Sequence, residues 1–98
     1  MLTHDSYYST IWIMLENTKV LISGGAGFIG TRLIERLVEK NQVTVLDTLH
    51  RDALTGTKLI EHPNLSLVKA DVRDKEAVKA AMTGKTHVVH LASIAGVD

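Results

Sequence analysis

Residues Ser23 to Gly30 read SGGAGFIG, four glycines in eight positions, directly behind the apolar run Val20-Leu21-Ile22. Glycine loses more backbone freedom on folding than any other residue, so such a cluster is costly inside a regular element. It makes sense where the chain leaves a buried strand, turns sharply and starts a helix. The first N–H groups of a helix have no partner within it, and the helix dipole favours negative charge at that end. Strand, glycine turn and helix N-terminus together form an anion cradle. Gly24 and Gly25 permit the turn. Gly27 keeps a Cβ out of the space a phosphate needs, and Gly30, one turn into the helix, lets the helix approach the sheet.

On either side of the turn the pattern is regular. Lys19 to Ser23 reads as a buried, β-branched-rich strand. Phe28 to Lys40 reads as a helix with an apolar stripe at Ile29, Leu33 and Leu37, flanked by Ile34 and Val38, and with Asn41 as a left-handed C-cap. Val43 to Asp47 is a second strand. Residues 48–62 hold a turn or short helix around Ala53-Leu54 and another around Lys58 to Glu61. Leu65 to Ala70 is a third strand. Asp74 caps a helix that runs to about Met82 with Val78, Ala81 and Met82 inward, and Gly84 ends it. Thr86 to Ala92 is a fourth strand. This alternation predicts an α/β fold, a doubly wound parallel sheet with helices on both faces.

The glycines fit two spacings at once. Gly25, Gly27 and Gly30 match G-x-G-x-x-G, and Gly24, Gly27 and Gly30 match G-x-x-G-x-x-G. The pattern gains weight from the strand before it, the helix after it and an acidic residue about 20 positions on. Asp47, 20 positions after Gly27, ends the second strand. Its carboxylate is placed to bind the adenosine-ribose hydroxyls of a dinucleotide and to repel the 2′-phosphate of NADP, so NAD is the favoured cofactor. Arg51 is near enough in sequence to soften that preference. No Gly-Lys-Ser/Thr follows the turn, which excludes a P-loop. The bland alternative is a glycine turn that binds nothing, with Asp47 as a solvated strand end.

VLISGGAGFIG, VTVLD, KADVRD and VVHLAS in this order resemble the amino-terminal part of an extended short-chain dehydrogenase/reductase, more narrowly the NAD-dependent epimerase/dehydratase family, over residues 18–98. The resemblance implies a Rossmann-type sheet of which only the first four strands are present, in the order 3-2-1-4. It implies a cofactor site made of Gly24, Gly25, Gly27, Phe28, Ile29, Gly30 and Asp47. Asp71 would hydrogen-bond the adenine and Val72 pack on it. Leu91, Ala92 and Ser93 would pass beside the ribose and pyrophosphate. The family more often has alanine where Ser93 stands. His90 is a fold position in the family, and His87 is assigned no role.

Family chemistry also needs a Tyr-x-x-x-Lys pair for proton transfer. The only tyrosines are Tyr7 and Tyr8, which precede the first strand and are followed four residues on by Ile11 and Trp12. No catalytic residue is assignable, and the expectation is a fragment without turnover of its own. The parent would be a homodimeric cytoplasmic enzyme acting on a nucleotide sugar. The alternatives are a non-catalytic NAD(P)-binding module and a truncated gene product.

Composition narrows the classes further. The 98 residues carry 11 basic and 11 acidic side chains, no electrostatic footprint for nucleic acid or an anionic membrane. There is no cysteine, and His4, His50 and His62 show no ligand-like spacing, so no metal site is expected. No apolar run reaches the roughly 18–20 residues of a membrane span. The opening MLTHDSYYSTIWIML concentrates the aromatics and lacks the features of a signal peptide. Residues 1–17 read as a leader or extension, with Met14 near the natural start.

Overall fold

The computed structural model describes residues 15–50 and 52–91. The element order is β1 (Lys19–Ser23), α1 (Phe28–Leu37), β2 (Gln42–Asp47), a 3-10 turn (Lys58–Glu61), β3 (Leu65–Lys69), α2 (Lys75–Met82) and β4 (His87–His90). The strands form one sheet in the order β3-β2-β1-β4, every pairing parallel, as expected. None of the described helices is long and apolar enough to cross a membrane.

β1 is central because it is apolar on both sides. Val20 pairs with Val43 of β2 and with His87 of β4, and Val20 through Ser23 are all buried. Side chains alternate across a strand. Val20 and Ile22, with Val43 and Val45, meet Ile34 and Leu37 of α1, and Val38 just after it, on one face. Leu21 and Leu46 meet Ala81 of α2 on the other, beside half-buried Val68 and Val78. One helix on each face is the doubly wound arrangement. Among the described residues β4 pairs only with β1, and its Val88 is half exposed.

The connection between β2 and β3 adds a core residue that periodicity does not reveal. Leu54 is fully buried in the α1-side cluster, worth about 1.5–3 kcal/mol for a side chain of this size. Asp52 holds the turn around it, accepting from the N–H groups of Leu54 at 2.9 Å and Thr55 at 3.0 Å. The Thr55 hydroxyl also donates to this carboxylate and, with those N–H groups, lowers its pKa.

Three sequence expectations need correction. The stripe of α1 is centred on Ile34 and Leu37, with Gly30 and Thr31 below them, and the helix stops at Leu37. Ile29 is 57% exposed, because the first turn projects beyond the sheet that the later turns cover. Met82 is 47% exposed: α2 has only two turns and turns Val78 and Ala81 to the sheet. Asn41 is not a left-handed cap, since the left-handed non-glycine residues described are Asn17 and Leu49.

Asn41 caps α1 with its side chain instead. It is 3% exposed. Its Nδ2 donates to Leu37 O at 2.9 Å and Leu15 O at 3.0 Å. Its Oδ1 accepts from Thr18 N at 3.0 Å and Thr18 Oγ1 at 2.7 Å. An amide offers two donors and two acceptor sites, and all four are used. The segment entering β1 is thereby tied to the end of α1. Asn17 N–H donates to Lys40 O at 2.8 Å, and Lys40 pairs with Glu16 at 3.2 Å.

The start of α1 rests on the glycine turn. A Cβ on Gly30 would lie 2.3 Å from the carbonyl oxygen of Gly25 and 2.4 Å from its Cα. A Cβ on Gly25 would press on Ile22 and Val45 at 3.0 Å. Backbone therefore lies against backbone, and only glycine at position 30 allows it.

Two stability measurements check this packing. Asn41→Ala should cost about 2–3 kcal/mol, because buried carbonyls lose their donors, and Asn41→Asp more, since it turns a charged acceptor toward the same carbonyls. Gly30→Ala sets two effects against each other. Alanine improves helix propensity by about 1 kcal/mol, whereas a Cβ forced against backbone costs about 3 kcal/mol. Denaturant unfolding should show net destabilisation of about 2 kcal/mol. A stabilised Gly30→Ala protein would refute the close contact.

Candidate cofactor site

The site lies at the carboxyl ends of the parallel strands, beside β1, where the strand order reverses between β1 and β4. Ligands in open α/β sheets bind at such a switch point. Gly24 leaves β1 with φ of 75°, the left-handed region open mainly to glycine, and its N–H donates to Leu46 O at 2.8 Å. Gly27 is the N-cap of α1. It is extended, with φ −75° and ψ −177°, and no side chain caps the helix. The first helical bond runs from Thr31 N–H to Gly27 O at 2.9 Å. The N–H groups of Phe28, Ile29 and Gly30 thus precede the helical ladder. No acidic residue occupies the first turn. Phe28 is 83% exposed. An uncapped helix start without a carboxylate of its own is suited to an anion.

Asp47 closes the other side. Its carboxylate is half-buried at the end of β2. Oδ2 accepts from Ala26 N–H at 3.0 Å, and Oδ1 from Leu49 N–H at 2.7 Å. Ala26 is fully buried, and its carbonyl accepts from Ala53 N–H at 2.6 Å. The glycine turn is therefore joined to the end of β2 and to the β2–β3 connection. Sequence pattern does not disclose these bonds. The Asp-x-Leu turn carries a weak local signal, since aspartate often accepts from the N–H two residues on, but nothing local marks Ala26.

Asp71 and Val72 follow β3. Ala70 N–H donates to Asp47 O at 3.0 Å, which brings this turn alongside the end of β2. Arg73 takes the Asp71 carboxylate. Its Nη2 donates at 2.7 Å, its Nε at 3.1 Å and its backbone N–H at 2.8 Å. The Arg73 side-chain bonds, with help from its backbone N–H, hold the Asp71 pKa at about 2. Val72 is exposed beside it.

At the β1–β4 side, Leu91 N–H donates to Ser23 O at 2.8 Å, placing Leu91 next to the strand end. The buried Ser23 hydroxyl is hydrogen-bonded to His90 Nδ1. His90 thus has a cross-strand partner that its place in the strand did not reveal. Ala92, Ser93 and Arg51 lie outside the described residues, as does the expected leader before Leu15.

Known proteins share both the pattern and the fold. The model of the 3-beta hydroxysteroid dehydrogenase/isomerase family matches residues 21–98. A putative UDP-glucose 4-epimerase of Methanocaldococcus jannaschii is 43% identical over 58 residues, 58% of this chain and 18% of that protein. UDP-glucuronic acid decarboxylase 5 of Arabidopsis thaliana is 46% identical over 62 residues, 60% of this chain and 18% of that protein. Among solved structures, the Bordetella bronchiseptica enzyme WbmF in complex with NAD+ and UDP is similar with a TM-score of 0.69 and 31% identity. The likeness covers 81% of this chain and 24% of WbmF. The chain spans less than a fifth of the length of the two curated relatives. With the family match running from β1 through residue 98, and with nucleotide-sugar epimerases and decarboxylases as relatives, the chain belongs to the 3-beta hydroxysteroid dehydrogenase/isomerase family, of the NAD-dependent epimerase/dehydratase type.

Proposed function

We propose that this chain is the NAD-binding part of a nucleotide-sugar epimerase, dehydratase or decarboxylase. The observation that carries the reading is the uncapped start of α1 at Gly27, opening beside the carboxylate of Asp47. The fit to a dinucleotide follows from the donor set. Free helical N–H groups suit a pyrophosphate, and a carboxylate nearby suits vicinal hydroxyls.

In this reading Gly24, Gly25, Gly27, Phe28, Ile29 and Gly30 surround the pyrophosphate. Asp47 accepts from the adenosine ribose. Asp71 and Val72 border the adenine, with Arg73 holding the Asp71 carboxylate in place. Leu91, Ala92 and Ser93 would pass beside the ribose and pyrophosphate. When bound, NAD would supply reversible hydride transfer at a sugar carbon. This chain orients the cofactor and supplies no proton-transfer pair, since its tyrosines are Tyr7 and Tyr8 alone. The nucleotide-sugar class rests on the named relatives, which act on UDP-linked sugars. The reading also draws the dinucleotide-binding unit over residues 18–98, preceded by an extension, and takes the parent to be a cytoplasmic homodimer.

Calorimetric titration of the chain with NAD and NADP tests the proposal. NAD should bind more tightly than NADP, and the chain alone should show no epimerase or decarboxylase turnover. Gly27→Val should lower NAD affinity about tenfold or more, because its side chain enters phosphate space, a change of about 1.4 kcal/mol. Asp47→Ala should weaken NAD and narrow its advantage over NADP. A wild-type chain that ignores NAD, or prefers NADP, would overturn the reading.

A further inference from the structure

We propose that Asp47 is a positioning residue for the phosphate-binding turn, separately from any contact with a ribose. The inference rests on the dinucleotide reading and deepens it. The carboxylate already accepts two backbone N–H groups, from Ala26 at 3.0 Å and Leu49 at 2.7 Å. They belong to the two segments that border the site. Ala26 is the centre of the glycine turn and is fully buried. Leu49 is held at φ of 67°, a conformation that side-chain-bearing residues rarely adopt. Leu49 also packs against the α1-side core.

Ala26 is gripped from both sides. Asp47 takes its N–H, and Ala53 donates to its carbonyl, next to the fully buried Leu54. The shape of the turn from Gly24 to Gly27 thus depends on Asp47 before any ligand arrives. Two carboxylate oxygens offer about four acceptor sites. Two are used internally, so two ribose hydroxyls can still be accepted. One carboxylate therefore couples the adenosine side of the site to the phosphate side. Removing it leaves the buried Ala26 N–H without an acceptor, a state the turn escapes only by shifting.

The test separates ribose contact from positioning by changing the ligand as well as the protein. ADP and 2′,3′-dideoxy-ADP, which lacks both hydroxyls, are titrated against the wild-type chain, Asp47→Ala and Asp47→Asn. Amide hydrogen exchange is followed residue by residue on the same three proteins. If Asp47 positions the turn, Asp47→Ala should weaken dideoxy-ADP about five- to tenfold, and ADP by more. Ala26 and Leu49 amides should exchange about tenfold faster while Ile22 and Val45 keep their protection. Asp47→Asn, whose amide oxygen can serve one of the two N–H groups, should fall between. Unchanged dideoxy-ADP affinity together with unchanged Ala26 exchange overturns the proposal and leaves Asp47 as a ribose contact only. If Asp47→Ala loses protection throughout β1 and β2, the same comparison on Asp47→Asn decides. A wild-type chain that binds neither nucleotide defeats the dinucleotide reading instead, and the exchange rates then still decide whether Asp47 holds the turn.

Discussion

The arrangement depends on one contact, the approach of Gly30 to the backbone of Gly25. With a Cβ at position 30 only 2.3 Å from a carbonyl oxygen, α1 could not start where it does. Because it does, the helix axis is aimed at the end of β1, its buried positions Ile34 and Leu37 fall over Val20 and Ile22, and its unpaired N–H groups open at the carboxyl end of the sheet. The packing of the core and the availability of the anion cradle are two consequences of the same missing side chain. This is why a glycine in a helix, ordinarily unfavourable by about 1 kcal/mol, is tolerated here.

A second level of organisation is polar. Asp47 joins the glycine turn to the end of β2, and Ala53 joins it to the following connection. Asn41 performs a similar task at the opposite end of α1, where its amide ties the approach to β1 to the helix terminus. Both side chains sit where backbone groups would otherwise be buried without partners, and such groups are costly. The sheet and its two helices are thus closed at one end by an amide and at the other by a carboxylate. The carboxylate end is the one that faces the candidate ligand.

The candidate site shows the same division between what local pattern reveals and what folding adds. Gly24, Gly25, Gly27 and Gly30 were legible because glycines at this spacing, set between a strand and a helix, meet the steric needs of a phosphate-binding turn. Asp47 was legible by its distance from them. Arg73 on Asp71, Ala26 on Asp47 and Ser23 on His90 were not. The last two join residues 21 and 67 positions apart, and no periodicity within one element carries information about a partner in another.

The order of strands and helices, the parallel sheet, the glycine turn and the acidic strand end were determined by the sequence alone, because each follows from local periodicity or steric need. Family membership was visible for the same reason, since its motifs are short local stretches at fixed distances. The tertiary structure decided the rest. It turned Ile29 and Met82 to solvent, because helix ends outrun a small sheet. It drew Leu54 into the core from a segment without regular pattern. It changed Asn41 from a backbone cap to a side-chain cap, because the segment before β1 supplies Leu15 and Thr18 as partners. The physical reason is common to all of these. Hydrogen-bond partners and burial are properties of neighbours in space, and only the folded chain brings those neighbours together.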